Sequence, residues 1–229
     1  MSNIYLTTLE NLRLLADKKY QAFNEKIANS SKVMLGVTVP QMRKLAGEIF
    51  KADYVGYLKN CQFKCFEDTM IYGFVLAKLP YCEFLEYLPI YLSNADSWAH
   101  IDSFVSSIKT VDKNRENFLE FIKNEIDGST GFTLRFYLVS LMTYYLSEEY
   151  IDYVFSILES CDGKGYYNDM AIAWLISVSF VKFRDKTLDF IKLCKLSSFT
   201  LNKSISKIKD SFRVLREDKI LLQNYIRKK

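Results

Sequence analysis

Apolar residues recur at helical spacing along most of the chain. In 131–146, Phe132, Leu134, Tyr137, Leu138, Leu141, Met142 and Tyr145 fall at i, i+3 and i+4 positions; in 151–158, Ile151, Val154, Phe155 and Leu158 do the same. Local signals set the ends. Pro40 suits the first turn of a helix through Phe50. Asp96 or Ser97 is placed to cap a helix beginning near Trp98. Ser147-Glu148-Glu149-Tyr150 puts acidic residues where a helix dipole favours them. The clearest breaks are Asp127-Gly128-Ser129-Thr130-Gly131 and Asp162-Gly163-Lys164-Gly165.

Taken in pairs, the predicted helices start near Phe66, Ser97, Gly131, Tyr167 and Ser198, a period in the low-to-middle thirties. Such a period predicts an all-α protein, an α-solenoid of short helical repeats whose first helices line a concave groove. The first helices are expected over 66–80, 97–111, 133–146, 167–182 and 198–212. Residues 1–62 add two or three capping helices ahead of five pairs in 66–229. No Ser/Gly/Pro linker interrupts the chain, so 1–229 is expected to be a single domain.

Composition narrows the class. The 229 residues are 49% hydrophobic but hold only 8 glycines and 3 prolines. That is far below average usage and argues against collagen-like or low-complexity chains and turn-rich β folds. It also argues against phosphate loops built on clustered glycines. No apolar run approaches the roughly 18 residues of a membrane span. The opening Met1-Ser2-Asn3-Ile4-Tyr5 has no basic region leading into an apolar one, which predicts a cytoplasmic protein.

The five cysteines (Cys61, Cys65, Cys82, Cys161 and Cys194) are expected as free thiols in a reducing compartment. Cys61 and Cys65 are spaced to share a helix face. His100 is the only histidine and there is no second close Cys pair, so neither metal nor cofactor is expected.

The net charge of +4 is unevenly spread. Residues 198–229 carry nine basic and three acidic side chains, leaving the first 197 slightly acidic. This segment is either a solvated helical face or a surface for phosphates.

The first helices also carry the candidate chemistry. Trp98 and Asp102, at i and i+4, share a helix face. Arg135 lies inside an apolar run one repeat later, and Trp174 one repeat further. A buried Arg needs a partner, and Asp102 is a candidate from the neighbouring repeat. Two readings stay open on these residues alone: an inter-repeat ion pair with two core tryptophans, or a working site. Glu67, opening a first helix, reads as a structural or capping acid.

Leu35-Gly36-Val37-Thr38-Val39-Pro40-Gln41-Met42-Arg43-Lys44-Leu45 resembles the pattern L-G-I/V-x-x-P-x-x-R-x-I/L. Ser97-Trp98-Ala99-His100-Ile101-Asp102-Ser103 resembles N-W-x-x-x-D-S/T, and the segments around Trp174 and Asn202-Lys203-Ser204-Ile205 resemble later helices of the same family. In order, from roughly Phe23 to Lys219, they are similar to the DNA alkylation repair family, the AlkD-like glycosylases of HEAT-like repeats. The resemblance implies hydrolysis of the N-glycosidic bond of cationic, N3- or N7-alkylated purines in double-stranded DNA. It implies Asp102 and Arg135 as catalytic residues and Trp98 and Trp174 as aromatic walls against the substrate. It places Lys203, Lys207 and Arg213 on the DNA backbone. Asn168 and Asp169 depart from it, standing where relatives often carry a basic residue. The alternative is a catalytically weak or inactive helical-repeat protein that binds DNA or a protein partner through the same groove.

Overall fold

The structure, a computed structural model, describes residues 4–228. Among them every regular element is helical: α1 (Ile4–Leu15), α2 (Lys18–Ala28), α3 (Val39–Asn60), α4 (Phe66–Leu76), α5 (Tyr81–Asn94), α6 (Trp98–Val105), α7 (Arg115–Glu125), α8 (Gly131–Tyr144), α9 (Ile151–Cys161), α10 (Tyr166–Lys182), α11 (Arg184–Leu193), α12 (Ser198–Asp210) and α13 (Arg216–Leu221). Single 3-10 turns occupy Thr110–Lys113 and Leu222–Tyr225, and one isolated bridge joins Val33 to Cys65. The five expected pair starts fall within one residue of the starts of α4, α6, α8, α10 and α12. The chain divides into two compact units, one ending at Phe118 and the other beginning at Leu119.

In the first unit, α1 to α3 occupy the segment expected to cap the repeats. The Gln41 side chain accepts from both the backbone N–H (3.0 Å) and the hydroxyl (2.6 Å) of Thr38, fixing the start of α3 with Pro40 in its first turn. The helix breaks near its middle, where Asp53 leaves helical geometry and its carboxylate accepts from Gly56 N–H at 2.8 Å. The helix expected to end at Phe50 runs three residues further to this break, and the element continues beyond it to Asn60. All eleven residues of α4 are buried, because α3, α5 and α6 pack around it. Gly73 is required there: a Cβ would lie 2.9 Å from the ring of Tyr91. Tyr91 in turn donates to the carbonyl of His100 at 2.8 Å, tying α5 to α6. The first helix of the second pair is shorter than 97–111, since α6 ends at Val105 and gives way to turns.

Cys61 and Cys65 do not share a helix face. Cys61 ends α3 and Cys65 precedes α4, at either end of the connecting loop. All five cysteines are free thiols.

In the second unit, α10 packs against both α8 and α12. Small residues on α10 (Ala171, Ala173, Ser177 and Ser179) are buried and allow this close approach on several sides. Three hydrogen bonds join segments of the second unit that are distant in sequence. Arg135 donates to Tyr167 O at 2.6 Å, Lys195 N–H to Glu159 at 2.7 Å, and Arg184 to Asp218 at 2.9 Å. The partners stand 32, 36 and 34 residues apart. Both predicted glycine breaks are inter-helix seams, and Gly163 and Gly165 adopt positive φ of 74° and 121°.

Candidate functional site

The L-G-V motif is explained by the carboxylate it encloses. Glu67, fully buried in the first turn of α4, accepts from three consecutive amides. Leu35 N–H lies 3.0 Å from both of its oxygens; Gly36 and Val37 N–H lie 2.8 and 3.3 Å from Oε1. Turning three successive amides toward one point requires the left-handed φ of 86° at Gly36, and a Cβ there would sit 2.2 Å from Asp17 O. Glu67 is therefore a structural acid with its oxygens engaged. The same loop hands Val33 O to Phe66 N–H at 2.9 Å and sets Lys32 Nζ 2.9 Å from Thr69 Oγ1. Arg43 of the same motif stacks 4.3 Å over Phe74 and donates to Ser107 Oγ at 2.6 Å, pinning α3 to the end of α6.

Trp98 and Asp102 stand one turn apart on α6, both half-buried. Ser97, not Asp96, caps this helix, accepting from Ala99 N–H at 3.2 Å. Its hydroxyl also donates to Ala28 O, while Trp98 Nε1–H donates to Ile27 O at 3.0 Å. The start of α6 thus satisfies the last carbonyls of α2. Asp96 is engaged elsewhere, accepting from Ser30 Oγ (2.8 Å), Ser31 N–H (2.8 Å) and Ser31 Oγ (2.6 Å).

His100, between the two candidate residues, is fully buried. Its Nε2 lies 3.1 Å from Phe66 O, and its Nδ1 lies 3.3 Å from Asp96 Oδ1 without an aligned hydrogen bond. Burial lowers its pKa, outweighing the pull of Asp96. The Asp96 carboxyl is pushed up by burial, but contacts with His100, Ser31 and Ser30 win and hold it well below the ordinary carboxylate range. Tyr91 is raised well above its ordinary value, first by burial and then by the electrostatic effect of Asp102.

In the second unit, Arg135 is buried on α8 and spends one guanidinium nitrogen on Tyr167 O. Trp174 on α10 keeps 36% of its surface exposed. It lines an open groove of about 260 Å³ with Ser177, Val178, Val181, Lys182, Ser211 and Arg213. Trp174 and Arg213, expected in separate roles, share this groove. Lys203 is exposed on α12, its Nζ 5.9 Å from the Phe199 ring, and Lys207 is half-buried one turn on. Asp102 and Trp98 belong to the first unit; Arg135, Trp174, Lys203, Lys207 and Arg213 belong to the second.

Two expectations about charge change. Asn168 and Asp169 are buried and turned into the loop before α10: Asn168 Nδ2 donates to Lys164 O at 3.0 Å, and Asp169 accepts from Gly163 N–H at 2.9 Å. They act on the seam, not on a partner's charge. Arg227, counted in the basic C-terminal segment, instead donates to Leu196 O and Cys194 O, where it satisfies carbonyls at the end of α11. Lys229 lies outside the described residues.

Sequence reasoning missed Lys182 and Ser211 as neighbours of Trp174. A signal existed for part of this face: Trp174, Ser177, Val178, Val181 and Lys182 follow the i, i+3, i+4, i+7, i+8 spacing of one helix side. Ser211 and Arg213 reach the groove from the loop after α12, which no periodicity announces. Among the described residues no group of three His, Cys, Asp or Glu is placed to hold a metal ion. No described helix is long and apolar enough to cross a membrane.

The chain matches no protein-family model, and no curated protein matches it.

Proposed function

We propose that the chain is a DNA glycosylase-like protein of the DNA alkylation repair kind, its helix pairs stacked as a HEAT-like solenoid with DNA in the concave groove. The observation that carries this reading is the groove along α10, where the part-exposed Trp174 ring shares walls with Lys182 and Arg213. An electron-rich ring attracts a cationic base, and flanking cations take phosphates. The ordered motifs of the sequence support it as well.

The chemistry suits the residue types. Alkylation at N3 or N7 leaves the purine cationic and a good leaving group. As the C1′–N bond breaks, its electron pair leaves with the now neutral base and the sugar gains oxocarbenium character. Asp102 stabilises that charge and orients a water onto C1′; the proton lost from the water passes through the carboxylate to solvent. Arg135 supports the site, Trp98 and Trp174 wall it, and Lys203, Lys207 and Arg213 hold the backbone.

A base-release assay on duplex DNA carrying N7- or N3-methylpurine tests this reading. Wild type is expected to free the base, and Asp102→Asn to slow release at least about a hundredfold, the scale of one lost charge-stabilising group. No release by wild type overturns the enzymatic reading. A non-enzymatic binder is the second reading, and it draws on Trp98 and Arg135, each of which spends a donor on a backbone carbonyl. It expects salt-sensitive duplex affinity with no base freed.

A further inference from the structure

Between α12 and α13 the chain makes a short turn, Ser211-Phe212-Arg213-Val214-Leu215. Phe212 at its tip is fully exposed, the most exposed large apolar side chain among the described residues. The turn is firmly held on both sides of it. Ser211 Oγ accepts from Arg213 N–H at 3.2 Å and Val214 is buried. Just beyond, Asp218 in the first turn of α13 accepts from Arg184 Nε at 2.9 Å on both oxygens. The ring adds no burial to the fold and is open to a partner.

The chemistry around the ring selects the partner. From Lys207 to Lys219 there are five basic and three acidic residues, and one of the acids, Asp218, is held by Arg184. Arg213, next to Phe212 in the turn, and Arg216, at the start of α13, are both exposed. Ser211 and Arg213, the immediate neighbours of Phe212, also line the Trp174 groove with Lys182. An exposed ring flanked in sequence by a hydroxyl and guanidinium groups matches phosphates and bases better than acyl chains.

We propose that Phe212 is a wedge that stacks on a base of bound duplex DNA, partly unstacking it, while Arg213 and Arg216 take the flanking phosphates. This rests on the reading of the chain as DNA-directed and adds a residue that reading does not use.

The test uses the full chain and a fluorescein-labelled duplex bearing one methylpurine, together with a sister duplex in which an adjacent base is 2-aminopurine, whose fluorescence reports unstacking. Wild type is expected to bind and to brighten 2-aminopurine. Phe212→Ala should bind about tenfold more weakly and lose the brightening, whereas Phe212→Trp should keep both. Equal affinity of Phe212→Ala and wild type overturns the proposal. So does wild-type binding without brightening, or a Trp variant no better than Ala. Phe212-dependent binding to vesicles of anionic phospholipid with unchanged DNA affinity also overturns it, in favour of a membrane surface. Base release is read on the same duplex. Phe212-dependent binding without release overturns the glycosylase reading alone; release with Phe212→Ala indistinguishable from wild type overturns the wedge alone. No duplex binding overturns both.

Discussion

Glu67 and Gly36 show how much of the first unit hangs on single residues. The buried Glu67 carboxylate gathers three amides, and Gly36 supplies the left-handed geometry that aims them. Glu67→Ala strands those donors and is expected to destabilise the fold by about 3–5 kcal/mol. Gly36→Ala adds a Cβ against Asp17 O and is expected to cost at least about 2 kcal/mol. Urea midpoints check both, and a loss below about 1 kcal/mol for Glu67→Ala would show that the cradle does not hold the fold. The motif L-G-V was legible in the sequence; its reason was not. A glycine between two apolar residues signals an unusual backbone, but the acid it serves lies about thirty residues away and is brought there only by the packing of α4.

At the scale of elements, the junction of α4, α6 and the loop after α2 is built around His100. Its ring meets Phe66 O from α4 and Asp96 from the turn before α6, with Lys32 of the loop adding a repulsive charge. Burial lowers the folded pKa below the ordinary value of about 6.5. Between those two values the unfolded chain binds more protons than the folded one, so stability falls as pH drops below about 6.5 and is fully present above it. Asp96 is depressed, so its contribution is intact above about 3.9 and does not move in this window. Asp68, whose carboxyl burial raises, acts in the opposite sense, losing stability as pH rises above about 3.9. Comparing urea midpoints from pH 7 to 5 in wild type and His100→Gln isolates the histidine: wild type is expected to decline more steeply, and parallel curves would sink the assignment. Helix starts were readable to within a residue because caps and glycine breaks are local. The lengths of α4 and α6 were not, because their ends are set by what packs on them.

For the molecule as a whole, the mild net charge of +4 conceals a division of labour. Arg227 serves the fold, Asp218 is neutralised by Arg184, and Lys203, Arg213 and Arg216 remain exposed. If these meet DNA phosphates, duplex affinity should fall linearly with the logarithm of salt concentration. Lys203→Ala and Arg213→Ala should each reduce that slope by about 1, with little effect of sequence. Fluorescence anisotropy titrations at several salt concentrations measure it, and unchanged slopes would take both residues off the backbone. The sequence by itself determined the helical class, the pair starts and the seams, since periodicity, caps and glycine are properties of neighbours along the chain. It also placed Trp98 beside Asp102, because one helical turn fixes that spacing. Only the tertiary structure decided which polar groups are spent on the fold, as with Glu67, Asn168, Asp169 and Arg227, and which stay open, as with Trp174 beside Arg213 and Phe212 on its turn. Burial and hydrogen-bond pairing depend on residues distant in sequence, and no local pattern encodes whether a charge finds a partner.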